Sequence, residues 1–282
     1  MYDNRNKLVA LLIITSVILS IFTFVSYSQS SEIPSVSAKA AALYEPKTKR
    51  FLYTKNSEEH LGMASTTKIM TALVAIENLN LDELIEADPR AVGIEGSSIY
   101  LKAGETLRAI DLIYALILQS ANDAAEVIAY KISGSIEAFT KLMNDKAKEL
   151  GAKNTNFTNP HGLDDKEHYT TASDLAIITA AALENDVFKE IASTKTKTIE
   201  SSLTERVLVN HNKLLKSYEG CIGVKTGYTK KTGRSLVSAA DKDGLTLICV
   251  TINAPDDWKD HTQMLDFGYS KLEIQHLAYV GS

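Results

Sequence analysis

Apolar residues run without a charge from Leu8 to Val25, preceded by Arg5 and Lys7 and followed by a Ser-rich polar stretch, Ser26 to Ser37. As a helix at about 1.5 Å per residue, this run reaches roughly 27 Å, close to the hydrocarbon thickness of a bilayer. A basic start, an apolar run and a polar exit predict an export signal or an N-terminal membrane anchor rather than a buried core helix. The run is longer than the ~7–15 apolar residues usual in a signal, which favours an anchor. Small residues at Ser26-Tyr27-Ser28 and Val36-Ser37-Ala38 nevertheless offer places to cut. Both outcomes stay open.

Beyond the tether the pattern divides into strands, then helices, then strands. Ala38–Tyr44 and Phe51–Thr54, separated by a polar turn, predict an antiparallel hairpin. From Ser65 to Ile76, Ile69, Leu73 and Ile76 recur at helical spacing while Met70, Ala72 and Val74 fill the other faces, so this helix is buried nearly all round. Ile110–Ile132 is helical with a break at Gln119-Ser120-Ala121-Asn122-Asp123. Ile136–Leu150 is amphipathic and ends at Gly151, and Thr171–Leu183 is helical again. From Val207 the period moves towards two: Cys221–Gly227, Ser235–Ala240 and Leu245–Ile252 predict strands, and Met264–Lys271 a closing helix. The expected fold is α+β, with an antiparallel sheet built from both chain ends and an all-helical lobe, about residues 84–185, inserted between them. Residues 1–37 are expected to be signal or anchor plus linker, and 38–282 one domain.

Composition narrows this little. Forty-five per cent hydrophobic and 23% charged residues describe an ordinary globular protein, not a disordered or fibrous one. The net charge of -5, with no basic run, gives nucleic acid no general attraction and excludes it as a partner. Two cysteines, Cys221 and Cys249, do not make a disulfide framework. They are expected to be free buried thiols, on strands too far apart to bridge.

Three short polar motifs stand against this background. Ser65-Thr66-Thr67-Lys68 opens the buried helix and sets a hydroxyl and an amine three residues apart on one face. A serine needs a base to become a nucleophile, and burial lowers a lysine's pKa towards that role. Ser120-Ala121-Asn122 sits at the interhelical break, and Lys225-Thr226-Gly227 on a late strand, where a glycine implies close approach by a ligand or another backbone. Each alone reads more simply: a helix cap with a solvated lysine, a loop pair, a strand end. Their order is what changes the reading.

Ser-x-x-Lys, Ser-x-Asn and Lys-Thr-Gly in that sequence belong to penicillin-binding proteins and class A β-lactamases. The chain resembles the serine-type D-alanyl-D-alanine carboxypeptidases. Gly62-Met63-Ala64, Gly96-Ser97-Ser98, Gly104-Glu105, Leu150–Thr155, Asn159–Asp164, Tyr228-Thr229 and Asp266-Phe267-Gly268-Tyr269 extend the likeness over nearly all of Ala38–Leu272. The resemblance implies a five-stranded sheet flanked by helices and removal of the terminal D-alanine from peptidoglycan stem pentapeptides through an acyl-enzyme on Ser65. It implies Lys68 as base, Ser120 as proton relay, Asn122 holding the substrate backbone, and Lys225 and Thr226 receiving the terminal carboxylate. Gly227 belongs to the substrate-binding strand, and backbone N–H groups of Ser65 and Tyr228 would form the oxyanion hole. β-Lactams would acylate Ser65. The implied place is outside the cytoplasmic membrane, attached through residues 8–25 if these are kept. No metal or other cofactor is implied.

Two departures accompany the likeness. Many relatives continue into a second, β-rich domain, and none is expected here. Some relatives carry an arginine just before the closing helix for carboxylate recognition; the stretch here is Asp256-Asp257-Trp258-Lys259. Three rival readings share parts of this pattern. A β-lactamase would need a Glu-x-x-Leu-Asn segment, and Glu167 is followed instead by His168-Tyr169-Thr170-Thr171. A zinc peptidase could use His161, Asp164 and His168, but these belong to the family-like loop. A β-lactam sensor or scaffold without efficient turnover is the non-catalytic alternative.

Overall fold

The computed structural model describes residues 33–280. The apolar run 8–25 lies outside them, and no described helix is long and apolar enough to cross a membrane. The chain divides into two compact units: Ser35–Leu265, treated below, and one combining the residues before Ser35 with those from Asp266 onward.

The main sheet has five antiparallel strands in the order β2-β1-β9-β8-β7. β1 (Ala40–Glu45) and β2 (Arg50–Lys55) form the predicted hairpin, and β7 (Cys221–Thr229), β8 (Gly233–Lys242) and β9 (Leu245–Ile252) the later meander. The two ends of the chain meet where β1 pairs β9, with Ala42 opposite Val250. Every residue of β1 is buried, which is why small Ala40, Ala41 and Ala42 stand where a half-exposed strand would alternate. Cys221 and Cys249 are free thiols on β7 and β9, with β8 between them.

Between β2 and β7 the chain builds the lobe. A 3-10 turn, Ala64–Thr67, leads into α1 (Lys68–Asn78), whose residues from Lys68 to Ala75 are all buried. The lobe also carries a small antiparallel pair, β3 (Leu84–Glu86) with β4 (Thr106–Arg108). α2 (Ala109–Tyr114) passes into a π-helical turn, Ala115–Gln119, which ends at Ser120. α3 (Asn122–Ser133), α4 (Ile136–Leu150) and α5 (Ala172–Leu183) follow, as the periodicity predicts. α6 (Asp186–Ser193) leads to a second hairpin, β5 (Thr196–Glu200) with β6 (Glu205–Val209). Arg206 of β6 clamps that hairpin to the lobe, bonding the buried Glu105 carboxylate at 2.6 and 3.2 Å and the Ile99 carbonyl at 2.8 Å. α7 (Leu214–Ser217) is one turn, and α8 (Asp257–Val280) begins well before the predicted Met264.

The first turns of α8 start early for polar reasons. The Asp260 carboxylate accepts the backbone N–H groups of Ser37 and Ala38 at 2.8 and 3.0 Å and the Ser37 hydroxyl at 2.8 Å, fixing the entry of the chain into β1. His261 lies wholly buried between Ser238 of β8, at 2.5 Å, and Thr251 of β9, at 2.9 Å. Burial holds its pKa down to about 3, and that of buried His168 to about 4. Both rings are therefore neutral in the fold and titrate near 6.5 when unfolded, so below that pH unfolding takes up protons. Their contribution is fully present above pH 6.5 and is lost progressively as the pH falls towards 4 and then 3. Each costs at most about 1.4 kcal/mol per pH unit. Buried Lys225, held down to about 7, adds a fall between pH 8 and 7, so the histidine part is read below 6.5, where the urea midpoint should decline less steeply in His261→Gln. A midpoint unchanged between pH 7 and 4 would contradict this.

Candidate active site

Ser65 sits in the 3-10 turn ahead of α1. Thr66 and Thr67 close that turn by donating their hydroxyls back to the carbonyls of Met63 and Ala64, at 2.6 and 2.7 Å. Thr67 Oγ1 in turn lies 2.8 Å from His168 Nε2. His168 Nδ1 accepts the Thr158 N–H at 3.0 Å, so the ring proton is on Nε2 and is donated to Thr67. Ser65 alone in the turn is partly exposed, while Thr66, Thr67 and Lys68 are buried.

Lys68 is fully buried. Its Nζ lies 2.7 Å from Asn122 Oδ1, 2.5 Å from the His161 carbonyl oxygen and 3.2 Å from Ser65 Oγ. Asn122 is oriented by donating its Nδ2 to the Glu95 carbonyl at 2.7 Å, which leaves Oδ1 for the lysine. Burial, and then the nearby Lys225 charge, push the Lys68 pKa well below its ordinary value; Asp123 opposes them. A neutral amine has two N–H donors and one lone pair. Asn122 and His161 accept both donors, which leaves the lone pair for the Ser65 hydroxyl.

The His161 carbonyl comes from the loop Asn159–Asp164, held on every side. Thr71 of α1 donates to the Pro160 carbonyl at 2.6 Å. The His161 ring accepts the Leu163 N–H at Nδ1, 3.2 Å, so Nε2 carries the proton and faces Glu126 Oε1 of α3 at 3.3 Å. Gly162, with φ +91°, lies so close to Ala64 that an added Cβ would stand 1.9 Å from the Ala64 carbonyl oxygen. Asp164 accepts the hydroxyls of Thr229 and Thr232 at 2.8 and 3.3 Å, tying the loop to the end of β7. The three residues weighed as zinc ligands thus have separate partners, and no described group of three or more His, Cys, Asp or Glu is disposed to hold a metal.

Ser120 adopts a left-handed φ of +61° at the end of the π-helical turn, a strained conformation for a non-glycine residue. Asn122 follows as the first residue of α3, with its N–H on the Ser97 carbonyl at 2.7 Å. Asp123 anchors the facing loop, accepting from the Ser98 hydroxyl at 2.6 Å and the Leu101 N–H at 3.0 Å.

β7 is an outer strand of the sheet, so alternate backbone groups on its free edge have no sheet partner. It runs against the turn that carries Ser65: a Cβ on Gly227 would lie 3.1 Å from Ser65 N and 3.2 Å from Thr66 N. Lys225 is buried, donates from Nζ to the Thr226 carbonyl at 2.9 Å, and is held down to about 7 by burial. The Tyr228 side chain is exposed.

A cleft of about 360 Å³ is lined by Ser65, Ser120, Thr226, Gly227 and Tyr228 together with Arg234, Asp257 and Trp258. Of the sequence-derived candidates, Lys68, Asn122 and Lys225 lie buried behind these and line no part of it themselves. A larger cavity of about 450 Å³, lined by His60, Asp164, Lys166 and Tyr169 among others, contains neither Ser65 nor Lys68. Sequence reasoning missed the His161 carbonyl, Glu126 and Arg234. The hairpin register that sets Arg234 opposite Tyr228 was the one signal available for the arginine.

Comparison with known proteins bears on this arrangement. Residues 27–256 match the family model described as D-alanyl-D-alanine carboxypeptidase. The chain is 38% identical over 249 residues to D-alanyl-D-alanine carboxypeptidase DacF of Bacillus subtilis, covering 85% of this chain and 64% of that one. It is 36% identical over 260 residues to DacC of Escherichia coli, again spanning 64% of the relative's length. The crystal structure of the Streptomyces K15 DD-transpeptidase superposes with a TM-score of 0.81 at 31% identity, covering 85% of this chain and 99% of that chain.

Proposed function

The chain belongs to the D-alanyl-D-alanine carboxypeptidase family, and from that footing we propose that it removes the terminal D-alanine from peptidoglycan stem pentapeptides through an acyl-enzyme on Ser65. The observation that carries the reading is the environment of Lys68: a buried amine, depressed by burial and by Lys225, with both N–H donors engaged and Ser65 Oγ at 3.2 Å. That is the arrangement a general base for serine requires.

In this mechanism Lys68 Nζ takes the Ser65 hydroxyl proton as Oγ attacks the carbonyl between the last two D-alanines. Backbone N–H groups of Ser65 and Tyr228 receive the developing oxyanion, each worth roughly 3–4 kcal/mol in acyl transfer. The peptide C–N bond breaks as the nitrogen gains a proton through Ser120, and D-alanine leaves. Water then attacks the ester, and the proton passes back to Ser65. Asn122, expected from the resemblance to hold the substrate backbone, lies behind the cleft and holds Lys68 instead; Thr226 and Gly227 offer the strand edge. The site works outside the cytoplasmic membrane, on a domain from residue 38 onward that residues 8–25 export or anchor. β-Lactams enter as substrate mimics and leave Ser65 acylated. An amine in place of water as acyl acceptor is a second reading, supported by the near-complete coverage of the K15 DD-transpeptidase chain.

The test uses the wild-type protein. D-Alanine should be released from a pentapeptide substrate, and intact mass after penicillin treatment should rise by one penicillin, mapped by proteolysis to the peptide carrying Ser65. An adduct on another residue would overturn the assignment. Penicillin hydrolysed with rapid turnover, leaving no adduct, would make the protein a β-lactamase instead.

A further inference from the structure

Ala64, the residue before the nucleophile, has a left-handed φ of +48°. A residue with a side chain keeps that conformation only where its surroundings enforce it. Here they do so from three sides. The Ala64 carbonyl oxygen accepts the Thr67 hydroxyl at 2.7 Å. Gly162 closes on the same oxygen, and Gly227 on the methyl group, where an added Cβ would stand 3.2 Å from Ala64 Cβ. One planar peptide unit carries both the Ala64 carbonyl and the Ser65 N–H, pointing in opposite directions. Fixing the first aims the second, which is one of the two donors that the acyl-enzyme reading gives to the oxyanion.

The hydroxyl that fixes Ala64 is itself directed. Thr67 Oγ1 has a single hydrogen, which it gives to Ala64, and lone pairs with which to accept. It accepts from His168 Nε2 at 2.8 Å. With a donor facing it there, the Thr67 hydroxyl turns its own proton to the Ala64 carbonyl. His168 is 4% exposed, its Nδ1 accepts the Thr158 N–H at 3.0 Å, and its ring meets Phe157 edge-on with centroids 5.9 Å apart. The segment that carries it is pinned by its next two residues: Tyr169 bridges Asn156, and Thr170 bridges Leu61, four residues before Ser65. The ring is thus a fixed donor aimed at Thr67. Neither His168 nor Thr67 lines the cleft, and the acyl-transfer steps above use neither.

We propose that His168, acting through Thr67, is a positioning residue for acyl transfer: it holds the Ala64–Ser65 peptide so that the Ser65 N–H points into the oxyanion hole. This rests on the acyl-enzyme reading above and deepens it. The N–H is needed as charge develops on the carbonyl oxygen, not when the ligand arrives. Loss of the relay therefore slows acylation and leaves the preceding binding step in place. The two ring nitrogens divide the work, Nε2 serving the nucleophile's turn and Nδ1 the loop at Thr158.

The experiment measures acylation by penicillin over a range of concentrations, which separates the dissociation constant of the first complex from the limiting rate. Infrared difference spectra of the adduct made with carbonyl-labelled penicillin then read the ester stretch, which hydrogen bonds in the oxyanion hole lower. H168N keeps an acceptor near the Nδ1 position and removes the donor at Nε2; H168Q does the reverse. H168N should slow the limiting rate ~10–100-fold, less than outright loss of an oxyanion donor. It should also raise the ester frequency and leave the dissociation constant little changed. H168Q should recover most of the rate and of the frequency. T67V, which removes the hydroxyl, should match H168N, and the double variant should be no slower than T67V alone. H261Q removes another buried histidine, controls for lost stability, and should keep the wild-type rate and frequency. Equal losses in H168N and H168Q, or slow acylation in H168N with the ester frequency unmoved, overturns the proposal, and T67V puts the same question if a histidine variant does not fold. A wild type that forms no penicillin adduct would instead remove the reading beneath it.

Discussion

Lys68→Ala should slow acylation of Ser65 by ~10²–10⁴-fold, the range that a positioned general base contributes, while leaving a folded protein. The loss follows from the way Nζ is surrounded. Asn122 Oδ1 and the His161 carbonyl hold the amine so that its remaining valence faces Ser65 Oγ, and no other titratable side chain is hydrogen-bonded to that hydroxyl among the described residues. Lys68→Arg should do no better, because a guanidinium keeps its proton at any pH the protein survives. In the wild type the acylation rate should rise with pH as Lys68 loses its proton, and do so well below a lysine's ordinary range, since burial and Lys225 both favour the neutral amine. Stopped-flow acylation by a fluorescent penicillin, paired with thermal unfolding of each variant, measures this. A Lys68→Ala protein that acylates within tenfold of wild type would show that another group takes the proton.

Gly162→Ala should be the most damaging glycine-to-alanine change among the described residues. The added Cβ meets the Ala64 carbonyl oxygen at 1.9 Å and its carbon at 2.4 Å, at a φ of +91° that an alanine resists. The backbone conformation costs about 1–2 kcal/mol. Overpacking against main chain on the other side adds about 1–3 kcal/mol. A loss of ~2–5 kcal/mol corresponds to a melting temperature lower by roughly 4–20 °C. The relief available, a shift of the Asn159–Asp164 loop, would draw the His161 carbonyl away from Lys68 and depress acylation as well. Gly134→Ala is the comparison: its φ is +72°, but a Cβ there meets nothing within 4 Å, so only the conformational cost applies. Calorimetry showing the two variants equally stable would mean the loop adapts freely.

Much of the sheet was legible because its later strands are short, mostly apolar and buried runs bounded by turns that carry glycine. The hairpin β5–β6 was not: each strand turns a single residue, Ile199 or Leu208, fully inward, and its other positions are polar or exposed. The start of α8 was missed for the opposite reason. Asp260 and His261 are buried there by hydrogen bonding, which hydrophobic periodicity does not register. In the site, the three motifs were legible as an ordered set of side chains. The partner that fixes Lys68 from below was not, because it is a main-chain oxygen 93 positions away, and any residue type carries one. Arg234 stood in plain view as a residue, and only its pairing with Asp257 gives it a place.

The cleft has one more property. Trp258 is the chain's single tryptophan, and it lines the space in front of Ser65 beside the Arg234–Asp257 pair. Indole emission from this protein therefore originates at one spot. A ligand that enters the cleft does so beside the one indole of the chain, and occupancy can be followed through it, with excitation chosen to spare the tyrosines and no label attached to protein or ligand.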